Sequence, residues 1–416
     1  MARKVLIGFI GTGMWEDRTA PISERKYKKA KYRIEGQIKE SSFISSVLAD
    51  HIGVDCIYLI GTMKSMWEEV YSSFAQKNGE EFDDNYCLDL AITGSESNYE
   101  TPISSQHLKK VEAVLGKNSK ICVIKYGIDD EELMFNFEQI KLLLENLKDE
   151  DEIYLDITHA FRSIPLFATT VLMYINDVLQ KRTTVKGVYY GMLDAMSEFN
   201  GVAPVVNLNK LVEIQNWIKG AYSFSNFGNG FLISDLLREE GNNENAQKIE
   251  NLSKAIRIAY ANDIKNEIKN VGKIKEKLSI PASLVIPNVI DSIEKILKKS
   301  KTDSQFQILL ALWYNEKKLY SLSYILLAEA IVTFVCEQEG HQDVSKKSIR
   351  KQCQDLIYTK YATLLNPNEY YKTINEIRNN IAHASIGSRN SLLNDVLQLT
   401  NRIQKYKSII FNIHAN

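Results

Sequence analysis

Five short runs of β-branched and aliphatic residues punctuate the first half of the chain, at 5–10, 56–60, 121–126, 153–157 and 188–190. Four of them finish at a glycine (Gly11, Gly61, Gly127 and Gly191), and the other finishes at Thr158-His159. Longer stretches with apolar residues at helical spacing lie between them, at 37–50, 131–148 and 164–180. Strands that are apolar at consecutive positions and alternate with helices predict a parallel sheet covered on both faces. Such a sheet takes ligands beyond the carboxyl ends of its strands, where the strand order reverses. After about residue 207 the pattern changes. Glycine-tipped strands stop, and Lys, Glu, Asn, Ile and Leu recur at helical spacing, as in 245–278 and 287–300. Pro281 and Pro287 predict a break between helices. From about 304 three or four amphipathic or buried helices follow. The expected organisation is therefore an α/β domain over 1–207, a helical connector over 208–303 and an all-α domain over 304–416.

Composition sharpens this picture in three places. A chain of 416 residues is too long for one ordinary core, so two or three domains are expected. The net charge of −1 hides an asymmetry: residues 1–207 carry 23 basic and 31 acidic side chains, a balance of −8, which leaves 28 against 21, or +7, for the rest. The second half can attract a polyanion weakly, whereas the first half must hold any anionic ligand by local devices. The five cysteines (Cys56, Cys87, Cys122, Cys336 and Cys353) form no CxxC pair, which argues against a zinc site or a disulfide framework and suits a reducing cytoplasm. The apolar run 5–10 is too short for a signal core. The stretch 322–336, interrupted by Glu329, falls short of a membrane span and reads as a buried helix.

Two constellations carry candidate chemistry. In the first, the strand Ile153-Tyr154-Leu155-Asp156-Ile157 runs straight into Thr158-His159-Ala160-Phe161-Arg162-Ser163, and Pro165 then opens a long helix. A helix N-terminus offers free N–H groups and the positive end of its dipole to an anion. Arg162 can add a two-pronged contact to phosphate, with Thr158, His159 and Ser163 beside it. A plainer reading stands next to this one, in which Asp156 and Ser163 cap the turn and His159 is a packing residue. The loop Gly11-Thr12-Gly13-Met14-Trp15 ends the first strand. It lacks the third glycine of a dinucleotide fingerprint and the Gly-Lys-Ser/Thr of a P-loop. What it offers is close backbone approach to a phosphate or base, with Trp15 available to stack.

The second constellation lies on one helix. Tyr370, Ile374, Ile377 and Ile381 form an apolar stripe, and within it stands Arg378-Asn379-Asn380-Ile381-Ala382-His383. Asn379 and His383 are one i,i+4 step apart on the opposite face. On an unbroken helix Arg378 and His383 point about 140° apart, so one chain cannot easily aim both at one phosphate, whereas two copies about a two-fold axis can. The chemistry open to these residues is RNA cleavage without a metal. A histidine can take the 2′-OH proton or protonate the leaving 5′-oxygen, and an arginine can stabilise the extra charge of the transition state. Asn379 can orient the phosphate or the imidazole. A solvated helix face remains the plainer alternative.

At these motifs the chain resembles a known family. Asp156 to Ser163 resembles the D-x-T-H-G signature of CRISPR-associated Rossmann-like (CARF) proteins, with Ala160 where that family often has glycine, and Arg378 to His383 resembles the R-x4–6-H motif of HEPN ribonucleases. The resemblance implies a Rossmann-like CARF sensor followed by an all-α HEPN domain, in a homodimer. The two sensors together would bind a cyclic oligoadenylate, cyclic tetra-adenylate ahead of cyclic hexa-adenylate, and so switch on cleavage of single-stranded RNA with no metal or other cofactor. Gly11, Thr12, Gly13, Trp15, Thr158, His159, Arg162 and Ser163 would line the ligand pocket, and Arg378, Asn379 and His383 would form the nuclease centre. Two other functions stand beside this one: a regulator without catalysis, and a sensor domain that also cleaves its own ring ligand.

Overall fold

The structure, a computed structural model, describes residues 2–17, 19–79, 81–159, 164–179, 183–274, 278–383 and 393–412. It divides into two compact units, Met1–Leu211 and Val212–Asn416.

The first unit is built on eight strands: β1 (Lys4–Ile10), β2 (Ala30–Ile34), β3 (Gln37–Ser41), β4 (Cys56–Gly61), β5 (Lys120–Val123), β6 (Glu152–Asp156), β7 (Thr184–Gly191) and β8 (Val202–Asn207). They form one sheet in the order β3-β2-β8-β7-β6-β1-β4-β5. The block β7-β6-β1-β4-β5 is parallel throughout. It contains the five strands expected from the sequence. All six residues of β4 are buried, as are six of the seven in β1. Consecutive buried positions require cover on both faces, and helices provide it. The chain runs outward from β1 to β4 and β5, then returns to lay β6 on the other side of β1. The strand order thus reverses between β1 and β6, where an open α/β sheet makes its crevice.

Three strands escape the sequence reading. Glu35 and Gly36 both take left-handed backbone (φ 47° and 81°), and this two-residue turn folds β2 onto β3 as an antiparallel hairpin. Residues 37–41, read as part of a helix, are therefore strand, and the helix begins only at Ile44. β8 lies antiparallel to β7 and parallel to β2, and joins that hairpin to the block.

The helices of this unit are α1 (Ile44–Ile52), α2 (Trp67–Asn78), α3 (Asp84–Glu96), α4 (Lys109–Val114), α5 (Asp130–Leu144) and α6 (Ile164–Asp177). Their ends follow local chemistry. Asp83 and Asp129 cap α3 and α5 by accepting the N–H groups of Tyr86 and Glu132. Three acids in the first turn of α5 face the positive end of its dipole. Gly53 and Gly79 end α1 and α2 in left-handed conformation.

From Asn209 the described chain is helical: α7 (Asn209–Phe227), α8 (Phe231–Glu239), α9 (Asn243–Ile258), α10 (Ala261–Val271), α11 (Ile280–Lys299), α12 (Asp303–Glu316), α13 (Tyr320–Gln338), α14 (Lys347–Tyr358), α15 (Ala362–Leu365), α16 (Lys372–Ala382) and α17 (Leu393–Asn412). One apolar cluster runs from Trp217 to Ile410, so residues before and after 304 share a single core. The break expected between Pro281 and Pro287 is absent. Ser279 caps α11 through the N–H of Ala282, Pro281 sits in the first turn where it displaces no hydrogen bond, and Pro287 is carried inside the helix. α13 has the length and apolarity of a membrane span, but 67% of its apolar window is buried inside the protein, where it packs as a core helix.

Candidate functional site

The first constellation closes around a buried carboxylate. β6 ends at Asp156, which lies in register with Gly8 of β1 and is fully buried. A side chain at residue 8 would start 2.6 Å from Ser45 Oγ. Glycine there lets Ser45, on the first turn of α1, reach over β1 and donate to Asp156 Oδ2 at 2.5 Å. The Thr158 N–H donates to Oδ1 at 2.9 Å. These bonds fix the turn after β6, and Thr158 Oγ1 in turn accepts from the Gly191 N–H at 2.8 Å, which ties the ends of β6 and β7 together.

His159 follows, half-buried. Its Nε2 lies 3.3 Å from the Ile44 N–H, a donor at the start of α1, and 3.4 Å from the Tyr32 hydroxyl. An amide donor on Nε2 requires a lone pair there, which places the imidazole in its neutral form with the proton on Nδ1. Burial works in the same direction and pushes the imidazole below its ordinary value, against the nearby Asp156 charge. It pushes the Asp156 carboxyl up, against the hydrogen bonds it accepts and the neighbouring imidazole.

Above this network lies a cavity of about 540 Å³ at the carboxyl ends of β1, β4 and β6. Gly11, Thr12, Gly13, Thr158 and His159 all line it. Gly13 has to be glycine on two counts: its φ is +64°, and a Cβ would sit 2.6 Å from the Tyr27 ring and 2.9 Å from Met66 Sδ. The loop is pinned from the β4 side, where Ser65 donates to the Ile10 carbonyl at 2.7 Å and the Met66 N–H donates to that of Gly11 at 3.0 Å. Trp15 is not among the lining residues. It stacks on Tyr27 with ring centroids 4.1 Å apart, and the Arg25 guanidinium lies over its ring. Arg162 and Ser163 lie outside the described residues.

Two exposed lysines, Lys28 and Lys29, also line the cavity, with Asp194 among the other lining residues. Strand and helix spacing do not single out these lysines, although Lys26-Tyr27-Lys28-Lys29-Ala30-Lys31 is the densest basic run of an otherwise acidic half. They are the local device that an anion needs in a unit of net negative charge. A cavity of this size, with backbone amides, small hydroxyls, a neutral imidazole and two lysines, suits a phosphate-bearing ligand with an apolar or aromatic body.

The second constellation lies in the second unit. Ile374 and Ile377 are buried, Arg378 and Asn379 are half-buried, and His383 is exposed at the end of α16, where its N–H closes on the Asn379 carbonyl at 2.9 Å. Arg378 is not isolated. Its guanidinium donates to Asn379 Oδ1 at 2.8 Å and to Glu329 Oε1 at 2.7 Å. The other oxygen of Glu329 pairs with Arg350, which also donates to Thr333 Oγ1 and the Val344 carbonyl. One carboxylate in the middle of α13 thus holds two arginines, from α14 and α16. In the sequence Glu329 is visible only as an interruption of an apolar run. Among the described residues, no three His, Cys, Asp or Glu side chains group so as to hold a metal ion.

Comparison with known proteins bears on both units. The family model of the CARF domain of the CRISPR system endoribonuclease Csx1 matches residues 5–194, and that of the second domain of CRISPR-associated protein MJ1674 matches residues 213–304. CRISPR-associated protein MJ1674 of Methanocaldococcus jannaschii is 37% identical over 429 residues, covering 98% of this chain and 66% of that protein, so the chain spans about two thirds of its relative's length. A solved structure of Enterococcus italicus Csm6 bound to cyclic hexa-2′-fluoro-hexa-dAMP is 11% identical, covers 100% of this chain and 95% of its own, and gives a TM-score of 0.40, too low for residues to be matched one to one. A CARF-domain match over the sheet, a second-domain match over the helices that follow, and a relative aligned along nearly the whole chain agree: the chain belongs to the CRISPR-associated proteins that carry a CARF domain.

Proposed function

We propose that the chain is a ribonuclease gated by a cyclic oligoadenylate. The observation that carries the sensor half is the cavity between β1 and β6, where the Gly11–Gly13 loop, Thr158 and His159 meet Lys28 and Lys29. Backbone N–H groups and lysines answer phosphates, and the remaining cavity wall answers a base. In this reading residues 1–207 are the sensor, and Arg162 and Ser163 complete the pocket as the CARF resemblance implies. A homodimer fits the ligand, because a ring with an even number of adenylates can straddle a molecular two-fold axis and meet two identical half-pockets. Cyclic tetra-adenylate is placed ahead of cyclic hexa-adenylate.

The cutting half is assigned to Arg378, Asn379 and His383 from paired chains. His383 is exposed, as a group that must meet a 2′-OH or a leaving 5′-oxygen has to be. Arg378 carries the charge that the crowded phosphate of the transition state requires, and Asn379 is bonded to it. Attack by the 2′-OH needs no metal and restricts the substrate to RNA. Activation is a population shift, in which the ring binds the nuclease-competent dimer more tightly than the idle one.

The test is cleavage of a fluorescent single-stranded RNA without added metal, with cyclic tetra-adenylate or cyclic hexa-adenylate, for wild type and His383→Ala. Cleavage that needs one ring and is lost with His383 is the expected result. A wild type inert with both rings would leave a nucleotide-sensing regulator in its place. Disappearance of the ring on incubation with His383→Ala would add ring cleavage to the sensor.

A further inference from the structure

The second unit holds a cavity of about 390 Å³, bounded by the turn between α9 and α10, the start of α12, the middle of α13 and the approach to α14. Its charges are matched in place. Lys265 pairs with Asp303 at 2.8 Å, and Arg350 pairs with Glu329. The two pairs leave the cavity wall without net charge, so it has no electrostatic preference for an anion. What it presents to a ligand is neutral. Phe306 and Leu326 are buried and give it an apolar floor, Asn262 and Gln307 bring side-chain amides, and Tyr260 brings an aromatic ring that is 57% exposed.

Gln307 supplies the most specific clue. Its Oε1 is shut off from solvent and has no hydrogen-bond partner among the described residues. A buried acceptor without a donor is costly, and turning the Gln307 amide toward the cavity would let a donor on a ligand relieve it. An apolar floor, an exposed ring and side-chain amides are the means by which proteins hold a single unpaired nucleobase, stacked on the ring and read along its N–H edge. The volume lies at the small end of the range for ligand cavities, with room for one base and not for a duplex.

Position ties the cavity to the proposed cleavage centre. Glu329 forms part of its wall, and the same carboxylate accepts from Arg378 at 2.7 Å. A base in the cavity therefore lies one side chain away from the guanidinium assigned to the scissile phosphate. The geometry points to a base-reading subsite: this cavity takes one unpaired base of the RNA beside the cut, stacked on Tyr260 and hydrogen-bonded to Gln307. The inference rests on the ribonuclease reading of Arg378 and His383. It also gives the helices ahead of residue 304 a part in recognition, because the α9–α10 turn forms one wall, with Ala259 held in left-handed backbone at φ 54°.

The experiment is binding of uncleavable RNA to the full chain. Fluorescein-labelled 2′-O-methyl decamers of adenine, cytosine, guanine and uracil are titrated against His383→Ala by anisotropy, with cyclic tetra-adenylate or cyclic hexa-adenylate present. The expected result is a spread of about tenfold or more between the best and worst decamer. Gln307→Ala and Tyr260→Ala, each added to His383→Ala, shrink that spread to about twofold by lowering the best affinities most. Tyr260 is largely outside the core, so its variant reports even where loss of Gln307 disturbs folding. Absence of base dependence in the parent, absence of binding included, or a spread that survives both substitutions, overturns the subsite. Cleavage of mixed-sequence RNA by the chain with His383 intact reports on the ribonuclease reading separately. Cleavage without base-dependent binding removes the subsite and keeps the nuclease; base-dependent binding without cleavage does the reverse.

Discussion

Replacing Glu329 with glutamine keeps the shape of the side chain and removes its charge. The two carboxylate oxygens now serve one arginine each, Arg378 at 2.7 Å on Oε1 and Arg350 on Oε2. A glutamine amide offers one acceptor and one donor group, so whichever way it turns, one guanidinium faces an NH2. A hydrogen bond to a charged group is worth about 1.5–3 kcal/mol when shielded from water. Here the side chains of Glu329 and Arg378 are each 28% exposed and that of Arg350 is 19% exposed, and solvent screening brings the loss to about 1–2 kcal/mol. In a unit of about two hundred residues that lowers Tm by roughly 2–8 °C. Scanning calorimetry of the full chain reads this, and a double-mutant cycle with Arg350→Met isolates the pair, because Arg350 retains Thr333 and the Val344 carbonyl when Glu329 is lost. Glu329 also positions Arg378, so the same variant should lower kcat for the proposed ring-activated cleavage by about tenfold while KM holds, the mark of an interaction made in the transition state. A Tm within about a degree of wild type, together with a coupling energy near zero, would refute the argument that one carboxylate holds both arginines.

Three further outcomes follow from the sensor unit. Ser45→Ala leaves the buried Asp156 carboxylate without its 2.5 Å hydrogen bond, and should destabilise the first unit by about 1.5–3 kcal/mol in chemical denaturation; a loss under about 0.5 kcal/mol would contradict the assigned bond. Burial holds the His159 imidazole below its ordinary value of 6.5, so the unfolded chain takes the proton first as pH falls. The stability it contributes is complete above about pH 6.5 and is lost below, which means that the gap in unfolding free energy between wild type and His159→Gln should narrow from pH 7 to pH 5, by at most about 1.4 kcal/mol per unit; a gap that stays constant would show an imidazole titrating normally. Lys28→Glu with Lys29→Glu reverses two exposed charges on the cavity and should weaken the proposed binding of the ring by about tenfold or more at low salt, with the difference fading as salt rises. Equal ring affinity in isothermal titration would place the phosphates elsewhere.

What could be read from the sequence, and what could not, divides along chain distance. The five parallel strands were legible because each is a short apolar run ending at a glycine or at Thr158, and both signals lie within a few residues of each other. Their carboxyl ends then located the cavity without any knowledge of pairing. The hairpin of β2 and β3 was not legible in the same way. It depends on a Glu-Gly turn, which lacks the Asn-Gly or Asp-Gly signature, and its apolar positions Tyr32, Ile34 and Ile38 are too few to outvote the helical spacing that begins at Ile44. β8 was hidden by Pro204, which marks a run as unsuited to a sheet interior.

The side-chain devices were less legible still, since they depend on partners that are remote in sequence. Asp156 and Ser45 are 111 residues apart, and the bond between them also needs Gly8, a residue of β1 whose only contribution is to have no side chain. Arg378 meets Glu329 across 49 residues. Helical geometry alone presents Arg378 as a flank residue and His383 as lying on another face, which makes a second copy of the chain the obvious way to unite them. The structure adds a constraint that spacing cannot supply: the guanidinium is already held by a carboxylate on one side and by Asn379 on the other. An arginine held in this way presents the rest of its planar fork in a fixed direction. For the proposed cleavage, orientation of that kind is worth more than a free charge, because an arginine that must first find its rotamer gives up the geometric advantage on which metal-free phosphate chemistry depends.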